Sequence, residues 1–231
     1  DRSILQKYIG SLANLKLVIL PVSYFSFGYD ISETTENWRM NFYKKVYGID
    51  CEGKHDIFDA KGYSYFALYG KEESLRCIFN GFKVNYAKDY KRNGVLMESS
   101  FDIKAGLVDI SDESGKKRIE FHNSCIKPEN YEKNISYMKE MIETLEKRKI
   151  KVVLITTPVY KTYSQNMSPK YYEDMQNIIK KITDKYGIKY FNYINDSRFV
   201  VEDFRNNDHL NPNGAVKFSK ILNNEILSKE L

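Results

Sequence analysis

Three histidines occur in the chain, at positions 55, 122 and 209, and one of them stands in surroundings suited to proton transfer. His209 lies in Asn206-Asn207-Asp208-His209-Leu210-Asn211-Pro212-Asn213-Gly214-Ala215. This polar stretch follows an apolar segment and comes just before a helix-start signal. An imidazole titrates near neutral pH, so a histidine placed there can take a proton from a hydroxyl nucleophile and return it to a leaving group. Such a ring needs a partner, and two are at hand. Asn206, three residues earlier, offers a carbonyl oxygen that can orient the imidazole; Asp208, directly adjacent, offers a carboxylate that can also stabilise the imidazolium. Both stay open as candidates. His55, between Lys54 and Asp56, reads as a solvated loop residue. His122, in Arg118-Ile119-Glu120-Phe121-His122-Asn123, reads as a strand-end histidine, with substrate contact as the alternative.

A nucleophile is harder to find. No Gly-x-Ser-x-Gly elbow occurs. Ser99-Ser100 lacks a preceding apolar strand, whereas Ser23 and Ser26 follow one but lack the glycine. Ser23 stands as a substrate or oxyanion candidate, together with Gly28 after the same strand and Thr156 and Thr157 at the end of another. Threonines at a strand end are also ordinary β-branched packing residues. Cys51, Cys77 and Cys125 show no Cys-x-x-Cys spacing, so no metal site is expected. A Cys51–Cys77 disulfide would suit an exported protein, while buried free thiols are the plainer reading. No Gly-rich phosphate loop follows a strand, which speaks against a nucleotide binder. No organic cofactor is implied.

These residues must be held by a scaffold, and the apolar pattern describes one. Residues 2–13 carry a helical stripe, Ile4, Leu5, Tyr8, Ile9 and Leu12. Leu15 to Val22 and Lys151 to Thr157 are near-continuous apolar runs stopped at prolines, the signature of parallel strands buried on both faces. A helix from about Glu129 to Lys149 precedes the second run. Ser168-Pro169 opens another helix, which Gly187 closes before a strand from Ile188 to Ile194. Asn211-Pro212 opens the last helix, which runs to about Ser228. Strand–helix alternation of this kind predicts a three-layer α/β/α domain around a parallel, flavodoxin-like sheet. Its core is expected over 1–29 and 129–231. Residues 30–128, rich in Tyr, Phe, Gly and turn signals, read as an α+β insertion with a helix near Glu36–Tyr47. Trp38, Arg39 and Tyr43 share helical spacing there, as packing residues or as a sugar-stacking lid.

Asp208-His209-Leu210-Asn211-x-x-Gly214-Ala215-x-x-Phe218-Ser219 resembles the C-terminal block of SGNH (GDSL-like) hydrolases. Ile155-Thr156-Thr157-Pro158-Val159-Tyr160 resembles the branch containing the D-alanyl-transfer protein of lipoteichoic acid assembly and surface-glycan acyl-modifying proteins. The resemblance covers roughly residues 1–30 and 130–231. It implies a serine esterase or O-acyltransferase acting on an acylated cell-envelope glycan or polymer, with His209 as base. That family's acid stands three residues before its histidine, where this chain has Asn206. Its serine follows a first strand, expected here upstream of Asp1. An extracytoplasmic place and an upstream membrane anchor are also what the resemblance implies. A catalytically inactive member that binds glycan or acts as a scaffold is the alternative.

Composition agrees with a folded α/β domain: 42% hydrophobic and 29% charged residues exclude a disordered chain. The net charge of +5 is spread among interleaved acids and bases instead of being gathered on one arm, which speaks against nucleic-acid binding. No run of 18 apolar residues occurs, so no membrane span is expected within the chain.

Overall fold

The computed structural model describes residues 1–49 and 109–231. The chain divides into two compact units, Asp1–Asp30 with Leu107–Leu231, and Ile31–Gly106. Helix α1 (Arg2–Tyr8), prolonged by a 3-10 turn at Ile9–Ser11, leads into strand β1 (Leu17–Pro21). In the second unit, helix α2 (Trp38–Tyr47) ends at Gly48, whose φ of 58° is the left-handed conformation a helix end commonly takes. Within that unit Arg39 pairs with Glu36 at 2.9 Å. His55, Cys51, Cys77 and Ser99-Ser100 lie outside the described residues.

Back in the first unit come α3 (Asp112–Cys125), α4 (Tyr131–Lys147) and β2 (Lys151–Thr156), then the short α5 (Lys161–Ser164), α6 (Pro169–Tyr186) and β3 (Lys189–Asn192). The fold is mixed α/β. β1, β2 and β3 form a parallel sheet in that order, with Val18 opposite Val152 and Leu154 opposite Tyr190. β2 lies in the middle and is buried at every position after Lys151. Successive side chains on a strand point to opposite faces. Val152 and Leu154 accordingly pack with Ile142 and Leu145 of α4 and with Ile179 and Ile182 of α6. Val153 and Ile155 meet Phe218 and Ile226 near the C-terminus. Both faces of the strand are therefore apolar, which is why its sequence reads as a continuous run. Leu154 is completely buried, a contribution of about 2–3 kcal/mol relative to an exposed leucine.

An antiparallel ribbon, β4 (Phe204–Asn206) with β5 (His209–Leu210), leads into α7 (Pro212–Leu222). Asn211 caps α7 by accepting the Gly214 N–H at 3.0 Å, with Pro212 in the first turn. α6 starts from Ser168-Pro169 and stops at Gly187, φ +63°. Beyond α7 a π-helical turn (Asn223–Leu227) buries Ile226, and Glu230 then closes the start of the sheet. Its carboxylate accepts from Lys189 Nζ and its backbone carbonyl from Lys151 Nζ, each at 2.5 Å.

The insertion is expected over 30–128. Residues 109–125, including all of α3, belong with the α/β unit, and the second unit covers 31–106. His122 is consequently a helix residue and not a strand-end one. The buried positions of α3 are Gly115, Ile119, His122 and Cys125. They keep helical spacing, but a glycine and a histidine in the stripe hide it from an apolar count. Cys125 is a free, buried thiol. Among the described residues no helix is long and apolar enough to cross a membrane, and no group of His, Cys, Asp and Glu is arranged to hold a metal ion.

Candidate active site at the strand ends

The β4–β5 ribbon turns through two residues, Asn207 and Asp208, so Asn206 and His209 sit opposite one another. Cross-strand partners share a face, which brings their side chains together. His209 Nδ1 lies 3.0 Å from Asn206 Oδ1. The same oxygen lies 3.2 Å from the backbone N–H of Asp208, a group that can only donate. The atom facing both is therefore the amide oxygen, and Nδ1 of the ring carries a hydrogen. That leaves Nε2 of the neutral ring with its lone pair. The His209 side chain is 58% exposed.

Asp208 supplies the second half of this surrounding. Its Oδ1 is 3.2 Å from His209 Nδ1, while its own side chain is almost wholly buried. Arg118 of α3, itself only partly buried, grips it: Nε reaches Oδ1 at 3.0 Å and Oδ2 at 3.1 Å, and Nη2 reaches Oδ2 at 3.0 Å. Two nitrogens on one carboxylate fix its rotation as well as its charge. Burial works against ionisation of Asp208, but hydrogen bonds and charge from His209 and Arg118 outweigh it and hold the carboxyl down at about 2. His122 completes the cluster. Its Nε2 is 3.9 Å from Asp208 Oδ2 and its Nδ1 is 2.5 Å from the hydroxyl of Tyr163. The ring of Phe25 packs over it at 4.2 Å between centroids. Burial pushes the Tyr163 phenol well above its ordinary range, so that hydroxyl stays a donor.

The turn is anchored by Asn207, which is 2% exposed. Its carbonyl accepts the Tyr160 N–H at 2.8 Å, its Oδ1 accepts from the Ser114 hydroxyl at 2.9 Å, and its Nδ2 donates to Thr162 Oγ1 at 2.8 Å. Tyr160 follows the carboxyl end of β2 by four residues, so His209 stands at the edge of the sheet where open α/β folds bind ligands. α3 reaches this edge because of Gly115. A Cβ there would lie 2.2 Å from the Thr162 carbonyl oxygen.

The remaining candidates separate from this cluster. Thr156 is 2% exposed and its hydroxyl is committed to the Val22 carbonyl at 2.9 Å and to the Tyr190 hydroxyl at 2.7 Å, so it ties strands together. Gly28 is also a packing residue: its N–H donates to the Phe25 carbonyl at 3.1 Å, and a Cβ would meet Ile126 Cγ2 at 2.6 Å. Thr157 is half-buried just past β2. Ser23 is half-buried past β1, with its N–H donating to Ser26 Oγ at 2.8 Å. Among the described residues no serine hydroxyl hydrogen-bonds His209. Arg118, Tyr163 and Asn207 are the site residues that local spacing misses. The signal available for Arg118 is the helical stripe from Gly115 to His122, to which it is adjacent.

A model of an uncharacterised family matches residues 79–230, about two thirds of the chain. The chain belongs to this family. The matched span takes in Arg118, His122, Tyr163 and the whole ribbon with Asn206, Asp208 and His209, so the charge cluster is contained in the family's own region. β1, Ser23 and Gly28 precede that span. No curated protein matches the chain.

Proposed function

We propose that this chain carries the histidine part of a serine ester hydrolase or O-acyltransferase of the SGNH (GDSL-like) type, acting on an acylated cell-envelope glycan or polymer outside the cytoplasm. The observation that carries the reading is the exposed His209 imidazole at the carboxyl edge of the sheet, with Nδ1–H tied to Asn206 and a carboxylate beside it. A three-layer, flavodoxin-like arrangement fits the parallel order β1-β2-β3 and the apolar helices packed against alternate residues of β2. In this chemistry a serine hydroxyl attacks the acyl carbonyl while His209 Nε2 takes its proton. The imidazolium then gives that proton to the departing alkoxide, leaving an acyl-enzyme. Water or a sugar hydroxyl, deprotonated by the same nitrogen, releases the acyl group. No serine here follows a strand with the glycine of that motif, so the carrying observation is the histidine and its partners and not a nucleophile.

The test uses the natural full-length protein. It should be labelled by a fluorophosphonate probe and hydrolyse p-nitrophenyl acetate, and His209→Ala should lower both by on the order of a thousandfold or more. Absence of both in the parent protein defeats the proposal. Asn206, standing where the triad acid is expected, favours a second reading, a non-catalytic glycan-binding or scaffolding protein on the same fold. Binding of acylated glycan without either activity would select it.

A further inference from the structure

We propose that the work of a triad acid is divided between two side chains in this protein: Asn206 fixes which nitrogen of His209 carries the proton, Asp208 supplies the negative charge, and Arg118 holds Asp208 in place. This rests on the reading of His209 as a base. A single carboxylate in a triad does both jobs at once, holding the tautomer and stabilising the imidazolium. Here the ring's aligned hydrogen bond goes to the Asn206 amide, and the charge comes from a different residue, Asp208, whose carboxylate stands beside the same nitrogen. Asn206 Oδ1 takes the Nδ1–H at 3.0 Å and is itself locked by the Asp208 backbone N–H. An amide oxygen carries no net charge, so it orients the ring without stabilising the cation. Asp208 Oδ1 lies at 3.2 Å from the same nitrogen. Arg118 occupies both oxygens of that carboxylate.

Adjacent residues of an extended strand point to opposite faces. Asp208 meets His209 because it sits in the turn of the ribbon, before β5 begins. Its carboxylate is then free to rotate about its own side-chain bonds unless something grips it. Arg118 does so with a planar fork whose Nε and Nη2 match the two carboxylate oxygens, a fit an ammonium group lacks. His122 Nε2, 3.9 Å from Oδ2, marks the other direction in which the carboxylate would turn. Asn206, Asp208 and Arg118 are positioning residues in this scheme, since His209 alone faces the reacting groups.

The division is testable without relying on turnover. In the ring-15N-histidine-labelled full chain, two-bond proton–nitrogen correlation spectra at alkaline pH should show His209 with hydrogen on Nδ1. Asn206→Ala should lose that pattern, whereas Asp208→Asn and Arg118→Lys should keep it. Carboxyl-13C titration of Asp208 reports the charge arm: His209→Ala should move its midpoint upward, and Arg118→Lys should do so in part. In the active full-length protein, Asp208→Asn should slow ester hydrolysis with the tautomer intact, and Asn206→Asp combined with Asp208→Asn should restore the rate by returning both jobs to one carboxylate. Retention of Nδ1–H in Asn206→Ala, or an Asp208 midpoint unmoved by His209→Ala, overturns the proposal. An inactive parent protein with both spectroscopic results as expected would sink the esterase reading and leave the division standing.

Discussion

At the scale of single residues, the buried charge of Asp208 has consequences for stability as well as chemistry. Its carboxyl is held at about 2 against an ordinary value of 3.8, so the folded state binds its proton less readily than the unfolded chain. The resulting stabilisation is present above about pH 4 and is lost as the pH falls toward 2, with a size on the order of 2 kcal/mol. Urea-unfolding midpoints followed between pH 5 and 2 should therefore fall less steeply in Asp208→Asn than in the parent chain. An equal slope would show that Asp208 has no such linkage. His209, Asp208 and Asn206 were legible in the sequence because they lie within four consecutive positions next to a helix cap. Arg118 was not, because it reaches Asp208 from 90 positions away. The polar partners of Thr156 and Gly28 were hidden for a related reason: they come from backbone groups and from Tyr190, brought in by the fold and not by neighbouring motif residues.

At the scale of elements, the site depends on how closely α3 approaches the segment after β2. Ordinarily a glycine inside a helix costs about 1 kcal/mol relative to alanine, so Gly115→Ala would stabilise an isolated helix. Here the added methyl would sit 2.2 Å from the Thr162 carbonyl oxygen, a backbone atom. The expected outcome is a net loss of about 1–3 kcal/mol from overpacking, read as a lower thermal midpoint. The shift of α3 should also loosen the grip of Arg118 on Asp208. A raised midpoint would mean that α3 moves away without cost. Strand β2 and the long helices α4 and α6 were legible because their apolar spacing is regular and their ends carry Pro or Gly. α3 was absorbed into the expected insertion because its inward face mixes Gly115, Ile119, His122 and Cys125. Gly115 and His122 on that face serve the site, and such a face does not read as hydrophobic.

At the scale of the whole molecule, stability of the α/β unit is concentrated on one strand packed from both sides. Leu154→Ala removes a fully buried side chain from the cluster shared by α4 and α6, and should cost about 2–5 kcal/mol in urea unfolding. A cost below about 1 kcal/mol would mean that the helices collapse onto the gap. Asn192 and Thr156 end their strands near the ribbon, while Lys151 and Lys189 begin them, and Glu230 is bound to both lysines. The last residues of the chain are thus moored at one pole of the sheet and His209 at the other, across a strand length of about 17–20 Å. A purification tag or surface linkage attached after Leu231 leaves the imidazole pointing toward the bathing solution, so immobilised protein should keep whatever chemistry the free protein has.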